Sequence, residues 1–304
     1  MLHPLESGRH RTVPGAGMGL NSAYSMMMSD APVNSANRIN QLVTIEDRSA
    51  AFPVIPIGNV WSRMLFDGPF YLFEAPPDRP AISLVFVQSR DGNTGASNPS
   101  DLGGGATDKL LIYEGLSRVA ADAVLAGASS VGHNVFFTIA HPELAALRQE
   151  LGLPRHPTQM VLSNEGNIDL SARVFSNPEV KVLLLAGPAC ERAIAPRLGD
   201  RPWITMIPIA GSLPRAFEIA RRDHGIARIS AVGGRVTATS LIDAGLVQDI
   251  YLTTSGTDGG ESDTPWYVGK RSLRLETVVR KREVTVKSPL LFEHLAIASR
   301  EPSS

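Results

Sequence analysis

The segment from Ala227 to Thr254, ARISAVGGRVTATSLIDAGLVQDIYLTT, constrains the fold more than any other part of the chain. Ile229 to Val232 is short and apolar, and Gly233-Gly234 interrupts it. Ala238, Leu241 and Ile242 then recur at helical spacing up to Gly245, a natural residue to follow a helix. Gln248 to Thr254 resumes with β-branched and aromatic residues, which favour strands. The reading is strand, glycine turn, helix, glycine stop and second strand. Two strands joined through a helix lie parallel in one sheet, so a purely helical or purely antiparallel fold is excluded. Paired glycines between a strand and a helix also let backbone N–H groups approach a phosphate at the positive helix end, with Arg235, Thr237 and Thr239 adding donors. By itself the pattern fits an ordinary tight connection better than a phosphate site.

The rest of the chain repeats the alternation. Ala81 to Val87, Asp122 to Gly127, Thr158 to Ser163, Val180 to Ala186 and Trp203 to Ile209 read as strands. Helices are expected from Thr107-Asp108 through Leu116 and Val119, after Pro142, around Cys190 to Ala195, and over Leu213, Ala216, Phe217 and Ala220. Arg274 to Lys287 alternates as one or two antiparallel strands closing the sheet, with Arg280-Lys281-Arg282 on an exposed face. The fold class is therefore α/β, a three-layer sandwich with a mostly parallel sheet and an antiparallel edge. Three regions are expected: a disordered N-terminal segment over 1–40, an aromatic and proline-rich arm over 41–80, and one main domain over 81–300. Order is expected to begin at Ala81. The arm, with Trp61, Phe66, Phe70, Tyr71 and Phe73 among five prolines, is expected to pack on the main domain or on a second copy of the chain.

Composition removes several classes of function. The 304 residues carry a formal net charge of −1, with no basic patch for nucleic acid or an acidic membrane surface. No apolar run approaches the roughly 20 residues that span a bilayer, and no continuous apolar stretch near the start suggests a secretory signal. The single cysteine, Cys190, excludes an internal disulfide and a thiolate metal cluster, which suits a reducing cytoplasm. No metal-ligand spacing, nucleophile elbow or phosphate-binding P-loop occurs, so no metal site is expected. What remains is a set of glycine- and hydroxyl-rich turns at the carboxyl ends of predicted strands: Ser89 to Gly92, Gly127 to Ser130, Ser163-Asn164 and Gly233 to Thr237. Gathered at one sheet edge, they suit a nucleotide or dinucleotide better than a catalytic dyad.

Three segments carry a resemblance to a known family: SRDGNTG at Ser89 to Gly95, LSRVAADAVLAGASSV at Leu116 to Val131, and VGGRVTATSLIDAGLVQDIYL at Val232 to Leu252. In order and spacing, about 190 residues from Pro80 to Lys270 resemble the pyrimidine reductase domain of riboflavin biosynthesis, which has the dihydrofolate-reductase-like fold. The resemblance implies NADPH across the carboxyl ends of the strands, held by Ser129, Ser130, Asn134, Gly233, Gly234, Arg235, Val236 and Thr237. It also implies hydride transfer to a small pyrimidine-type substrate contacted by Arg118 and by the positions of Val232 and His141. Asp91 is the most plausible polar group to orient that substrate, although Asp91-Gly92 is also an ordinary turn. The sequence departs from the family at the substrate side. Val232 replaces a glutamate, Ser130 a threonine, Asn134 an aspartate and His141 an arginine, while Asp101 to Gly105 replaces a tryptophan-bearing segment. Three readings follow: an NADPH-dependent reductase of a pyrimidine or related heterocycle, probed for the riboflavin intermediate; a dihydrofolate-reductase-like enzyme for a pterin or imine; or a non-catalytic nucleotide-binding module that recruits a partner. The expected partners are a small-molecule substrate and a second copy of the chain, without nucleic acid or membrane.

Overall fold

The computed structural model describes residues 39–96, 99–284 and 287–299. The expected disorder of the first forty residues falls almost wholly outside the described residues. The arm is folded and belongs to the sheet, so order begins well before Ala81. Its first strand, β1 (Leu42–Asp47), pairs antiparallel with residues 279–283 near the end of the chain. A hairpin of β2 (Val54–Ile57) and β3 (Phe70–Phe73) follows, and the helix α1 (Val60–Phe66) lies in its connection. Asn59 starts α1 by accepting a 2.9 Å hydrogen bond from Ser62 N–H, and Asp67 ends it in the left-handed conformation at φ 56°. Pro53 and Pro69 flank these short elements and Pro56 lies within β2, so none interrupts a long helix.

The core strands come next. They are β4 (Ala81–Gln88), β5 (Ala123–Gly127), β6 (Thr158–Ser163), β7 (Val182–Ala186), β8 (Ile204–Pro208), β9 (Arg228–Ala231) and β10 (Val247–Thr254), followed by β11 (Leu273–Glu283) and β12 (Leu291–Ser299). One ten-stranded sheet has the order β1-β11-β12-β10-β4-β9-β5-β6-β7-β8. Every pair from β10 to β8 is parallel, and the pairs from β10 through β12 and β11 to β1 are antiparallel. All five residues of β5 and of β7 are buried, as continuous apolar runs covered on both faces should be. The chain steps outward from β5 to β8, returns to insert β9 between β4 and β5, and places β10 on the far side of β4. The strand order therefore reverses at β9, where open α/β sheets leave a crevice at their carboxyl ends.

The crossover from β4 to β5 departs from an ordinary helix. After a turn at Gly105–Thr107, α2 (Asp108–Leu116) is a π-helix. Buried Leu111 and Leu116 are five residues apart, the step of a π register. A Cβ on Gly115 would come within 3.2 Å of Leu144, so this glycine lets α2 lie close to α3 (Pro142–Glu150). The remaining crossovers are regular: α4 (Pro188–Ile194), α5 (Leu213–His224) and α6 (Arg235–Asp243). Ala216, Phe217 and Ala220 of α5 are fully buried, and Gly225 closes that helix at φ 69°.

One charged residue is placed contrary to expectation. Lys281, in the basic run of β11, points inward and is 1% exposed. Alternation in the strand turns Arg282 to solvent and sends Lys281 to the arm. Its ammonium donates to Thr44 Oγ1 at 2.7 Å and to the Asp67 carbonyl at 3.0 Å, and lies 4.5 Å over the Phe66 ring. Burial draws its pKa down to about 8. The unfolded chain holds that proton up to about pH 10.4, so between the two values the unfolded state binds more protons and stability rises with pH. We expect urea denaturation to show the native protein gaining stability relative to Lys281→Met from pH 8 to pH 10.5, by at most about 3 kcal/mol. Parallel pH profiles for the two proteins would refute a strained buried charge.

Candidate active site

At the reversal, two backbone segments meet without side chains between them. Gly127 ends β5 and leads into a tight turn over Ala128–Ser130, while Val232 N–H donates to the Leu125 carbonyl at 2.9 Å and carries the chain from β9 to Gly233. A Cβ on Gly127 would lie 2.5 Å from Thr237 Oγ1, and one on Gly233 would lie 3.0 Å from Gly127 N and from Thr237 Cβ. These contacts, not an unusual torsion, require glycine. Gly234 stands at the start of α6 in an extended conformation, φ −63°, so it needs no left-handed backbone. A Cβ there would have only Ser130 Oγ within 4 Å, at 3.7 Å. Gly234 N–H donates weakly to that hydroxyl at 3.4 Å.

The first turn of α6 has no side-chain cap, which leaves its backbone N–H groups and the positive helix end directed at the crevice. Ser129 and Val236 are exposed, Val236 at 83%, while Ser130 and Arg235 are half-buried. The structure thus brings Ser129, Ser130, Gly233, Gly234, Arg235 and Val236 to one rim, with Thr237 buried behind the glycines. Asn134 is exposed on the loop beyond Ser130. This cradle fits an anionic nucleotide: open space over Gly234, uncapped donors and an unpaired arginine occur together.

Across the crevice, the loops after β4 and β10 are tied to each other. Asp91 accepts hydrogen bonds from Ser89 Oγ at 2.6 Å, Asn93 Nδ2 at 2.9 Å and Gly259 N–H at 3.3 Å. Arg90 pairs with Asp258. The Ser89 hydroxyl, above all, holds the Asp91 carboxyl below the usual carboxylate range, so it is an ionised acceptor bracing its own turn. Asp108 behaves differently. It opens α2 below Gly104, where a Cβ would meet Asp108 Cβ at 2.9 Å and Val87 Cγ2 at 3.0 Å. Burial raises its pKa to about 6, against the opposing effect of the adjacent Thr253 hydroxyl. Sequence reading gave Asp108 only a helix-starting role. The signal it missed was an acid after a glycine run, set against a threonine at the carboxyl end of β10.

Three substrate-side expectations meet other surroundings. Arg118 is 1% exposed near the amino-terminal end of β5, its guanidinium 4.0 Å over Tyr113 and donating to the Thr138 carbonyl at 3.1 Å. Val232 is buried in the core among Val124, Val135 and Tyr251. His141 begins α3 and stacks on Trp61 of the arm, with ring centroids 4.3 Å apart. Burial lowers the His141 pKa, although Glu114 and Glu143 oppose that shift.

Residues 80–287 match the RibD C-terminal domain. The chain belongs to that family. Among solved structures, RibD from Acinetobacter baumannii (form 1) aligns with a TM-score of 0.55 at 16% identity, over 73% of this chain and 59% of that one. A pyrimidine reductase-like protein from Corynebacterium diphtheriae aligns with a TM-score of 0.51 at 18% identity, over 73% of this chain and 94% of that one. This chain thus spans less than two thirds of the Acinetobacter protein but nearly all of the Corynebacterium one. At such identities the likeness establishes the fold, a RibD-like reductase fold. A search of curated proteins returns no match. Among the described residues no helix is long and apolar enough to cross a membrane, and no group of three or more His, Cys, Asp or Glu could hold a metal ion.

The two glycines of this RibD-family site should separate in mutagenesis. Gly233→Ala forces a Cβ onto backbone and is expected to cost about 1–3 kcal/mol of stability. Gly234→Val points into open space and should stay within about 0.5 kcal/mol of the parent. Denaturant titrations of both variants decide the matter, and equal losses would contradict the geometry.

Proposed function

We propose that this RibD-family chain is an NADPH-dependent reductase of a pyrimidine-type or related small heterocycle, with a substrate side unlike that of its relatives. The observation that carries the reading is the uncapped start of α6 behind Gly233-Gly234, at the strand-order reversal of this fold. Bound there, NADPH would supply the hydride. The N–H groups of Gly234 and the first turn of α6, with Ser130, would hold its pyrophosphate. Arg235 and Ser129, together with Asn134 on the neighbouring loop, would face the 2′-phosphate side, where charge-assisted hydrogen bonds discriminate it from NADH. Thr237 supports the glycines from behind. Asp91 keeps the loop after β4 in shape, and Asp108 is the carboxyl able to carry a proton near neutral pH. Asp108 would deliver or position the proton that balances hydride addition to the substrate.

Support for the reductase reading also comes from the relatives. Besides the reductase-like protein of Corynebacterium diphtheriae, a diaminohydroxyphosphoribosylaminopyrimidine deaminase/5-amino-6-(5-phosphoribosylamino)uracil reductase from Thermotoga maritima aligns at a TM-score of 0.50 and 16% identity. The riboflavin intermediate is nevertheless a poor candidate substrate for this chain. With His141 against Trp61 and Arg118 buried, a substrate phosphate lacks the cations those two positions were expected to offer, and Val232, in the core, supplies no carboxylate. An unphosphorylated pterin or imine suits the crevice better on this ground.

Calorimetric titration with NADPH and NADH tests the cofactor assignment. NADPH is expected to bind at least about tenfold more tightly, equivalent to about 1.4 kcal/mol, and Gly234→Val should abolish binding of both. Equal affinity for the two would remove the NADPH assignment. Failure of both to bind would favour a partner-recruiting module. With a substrate found by NADPH oxidation, kcat/KM is expected to fall as pH rises through about 6, the value at which Asp108 loses its proton. Asp108→Asn should erase that limb and slow turnover by about 100-fold or more. An unchanged pH profile in Asp108→Asn would exclude the carboxyl from proton transfer.

A further inference from the structure

A second polar cavity lies at the opposite, amino-terminal end of the parallel strands. It has a volume of about 20 Å³ and is walled by β4, β9, Tyr251, α2 with the residues after it, and Leu72-Phe73 of the arm hairpin. Its polar lining follows from strand register. Ala81 is opposite Arg228 and Ser83 is opposite Ser230, so Arg228 and Ser230, two residues apart on β9, share one face of the sheet. Ser83 in turn is opposite Asp249 of β10. Ser83 Oγ donates to Asp249 Oδ1 at 2.8 Å, and His294 Nε2 lies 2.7 Å from Asp249 Oδ2. A hydrogen-bonded row thus runs across the sheet from Ser83 through Asp249 to His294, with its carboxylate engaged on both oxygens.

The row stops short on the β9 side. Ser230 is 1% exposed and its hydroxyl has no partner, and Arg228 Nε is likewise buried and unpartnered. Buried donors are ordinarily satisfied, and each one left unmet is costly. No carboxylate among the described residues forms an ion pair with Arg228. Asp122 serves the backbone instead, its Oδ2 accepting from the N–H groups of Ala227 and Arg228 at 2.8 Å each. The cavity therefore presents two unmet donors, one of them on the half-buried Arg228 guanidinium, between apolar walls of Leu72, Phe73, Leu116 and Ala120.

The volume selects the size of the occupant. A site for one water needs roughly 10–15 Å³, so this one admits a single monatomic or similarly small species. Water could meet the two donors, whereas an anion would also pair with the positive charge of the guanidinium. We propose that this cavity is a binding site for one small monovalent anion, held by Arg228 Nε and the Ser230 hydroxyl. Such an anion would sit between the sheet and the arm hairpin and so join them. It is remote from the nucleotide crevice and independent of the cofactor assignment.

Bromide is the probe. Crystals of the full chain soaked in bromide and measured at the bromine absorption edge are expected to show one anomalous peak within hydrogen-bonding distance of Arg228 Nε and Ser230 Oγ. In solution, the melting temperature should rise saturably with bromide at constant ionic strength. Arg228→Gln should lose both the peak and the rise. If Arg228→Gln fails to fold, Ser230→Ala serves in its place, with loss of the rise expected. An ordered water alone in the cavity of the bromide-soaked crystal would overturn the proposal. So would a bromide-dependent rise of equal size in the parent and in Ser230→Ala.

Discussion

The site depends on the missing Cβ atoms of Gly127 and Gly233. These residues end neighbouring strands, and Thr237 of the crossover helix closes directly on both, to distances no side chain could share. That contact pulls the start of α6 against the carboxyl ends of β5 and β9. It fixes the crevice at the point where the strand order reverses, because a helix drawn in so closely must begin at the sheet edge. The uncapped first turn follows from the same constraint. Gly234 offers no side chain to the N–H groups behind it, so they stay available to solvent or ligand. A stability-optimised helix would begin with Ser, Thr, Asp or Asn. This one forgoes that gain where an anion can replace the cap.

A second constraint holds the helical layer in place. Arg148 of α3 is 1% exposed, and its Nη1 donates to the carbonyls of Arg118, Val119 and Ala121 at 2.7–3.1 Å. These carbonyls lie where the α2 crossover ends, so one buried guanidinium contributes the capping that a terminal glycine usually performs. Burial lowers the Arg148 pKa to about 10, which still leaves it charged at neutral pH. The buried Glu114 carboxylate does the equivalent at the start of α3, accepting from Ala140 and His141 N–H at 2.7 and 2.5 Å. Two charges buried on backbone groups thus lock α2 to α3, and α2 carries Asp108 at its other end. The arm completes the layer: Phe66 packs on Phe70 and Phe292 at 4.9 and 5.4 Å between ring centroids.

Much of this was legible in the residues. The apolar runs of β5 and β7, the spacing of Ala216, Phe217 and Ala220, and the glycine stop at Gly245 each named an element, because each signal is local. Family membership was legible as well, from three motifs in order. The folded arm was obscured because β1 and β2 are short and half-exposed, and the partner of β1 lies near the other end of the chain. Lys281 was misjudged for a related reason. Alternation shows that one residue of a basic run differs from its neighbours, but not that a distant helix end will accept its protons. Asp91 stood out in the sequence and Asp108 did not, although their surroundings differ. Asp91 satisfies itself within its own turn, whereas the Asp108 carboxyl is raised by the side chains and strand ends brought against it.

Sequence alone determined the α/β class, the parallel crossover around Gly233-Gly234, the family and the glycine rim at that crossover, because these rest on periodicity, turn chemistry and motifs within a few residues. Only the tertiary structure decided that the arm joins the sheet, that Arg118 packs on Tyr113, Val232 in the core and His141 on Trp61, and that Ser230 and Arg228 share a cavity. The physical reason is that burial and hydrogen-bond satisfaction belong to contacts between segments. A side chain's type fixes what it can bond, and the packing of distant strands fixes what it meets.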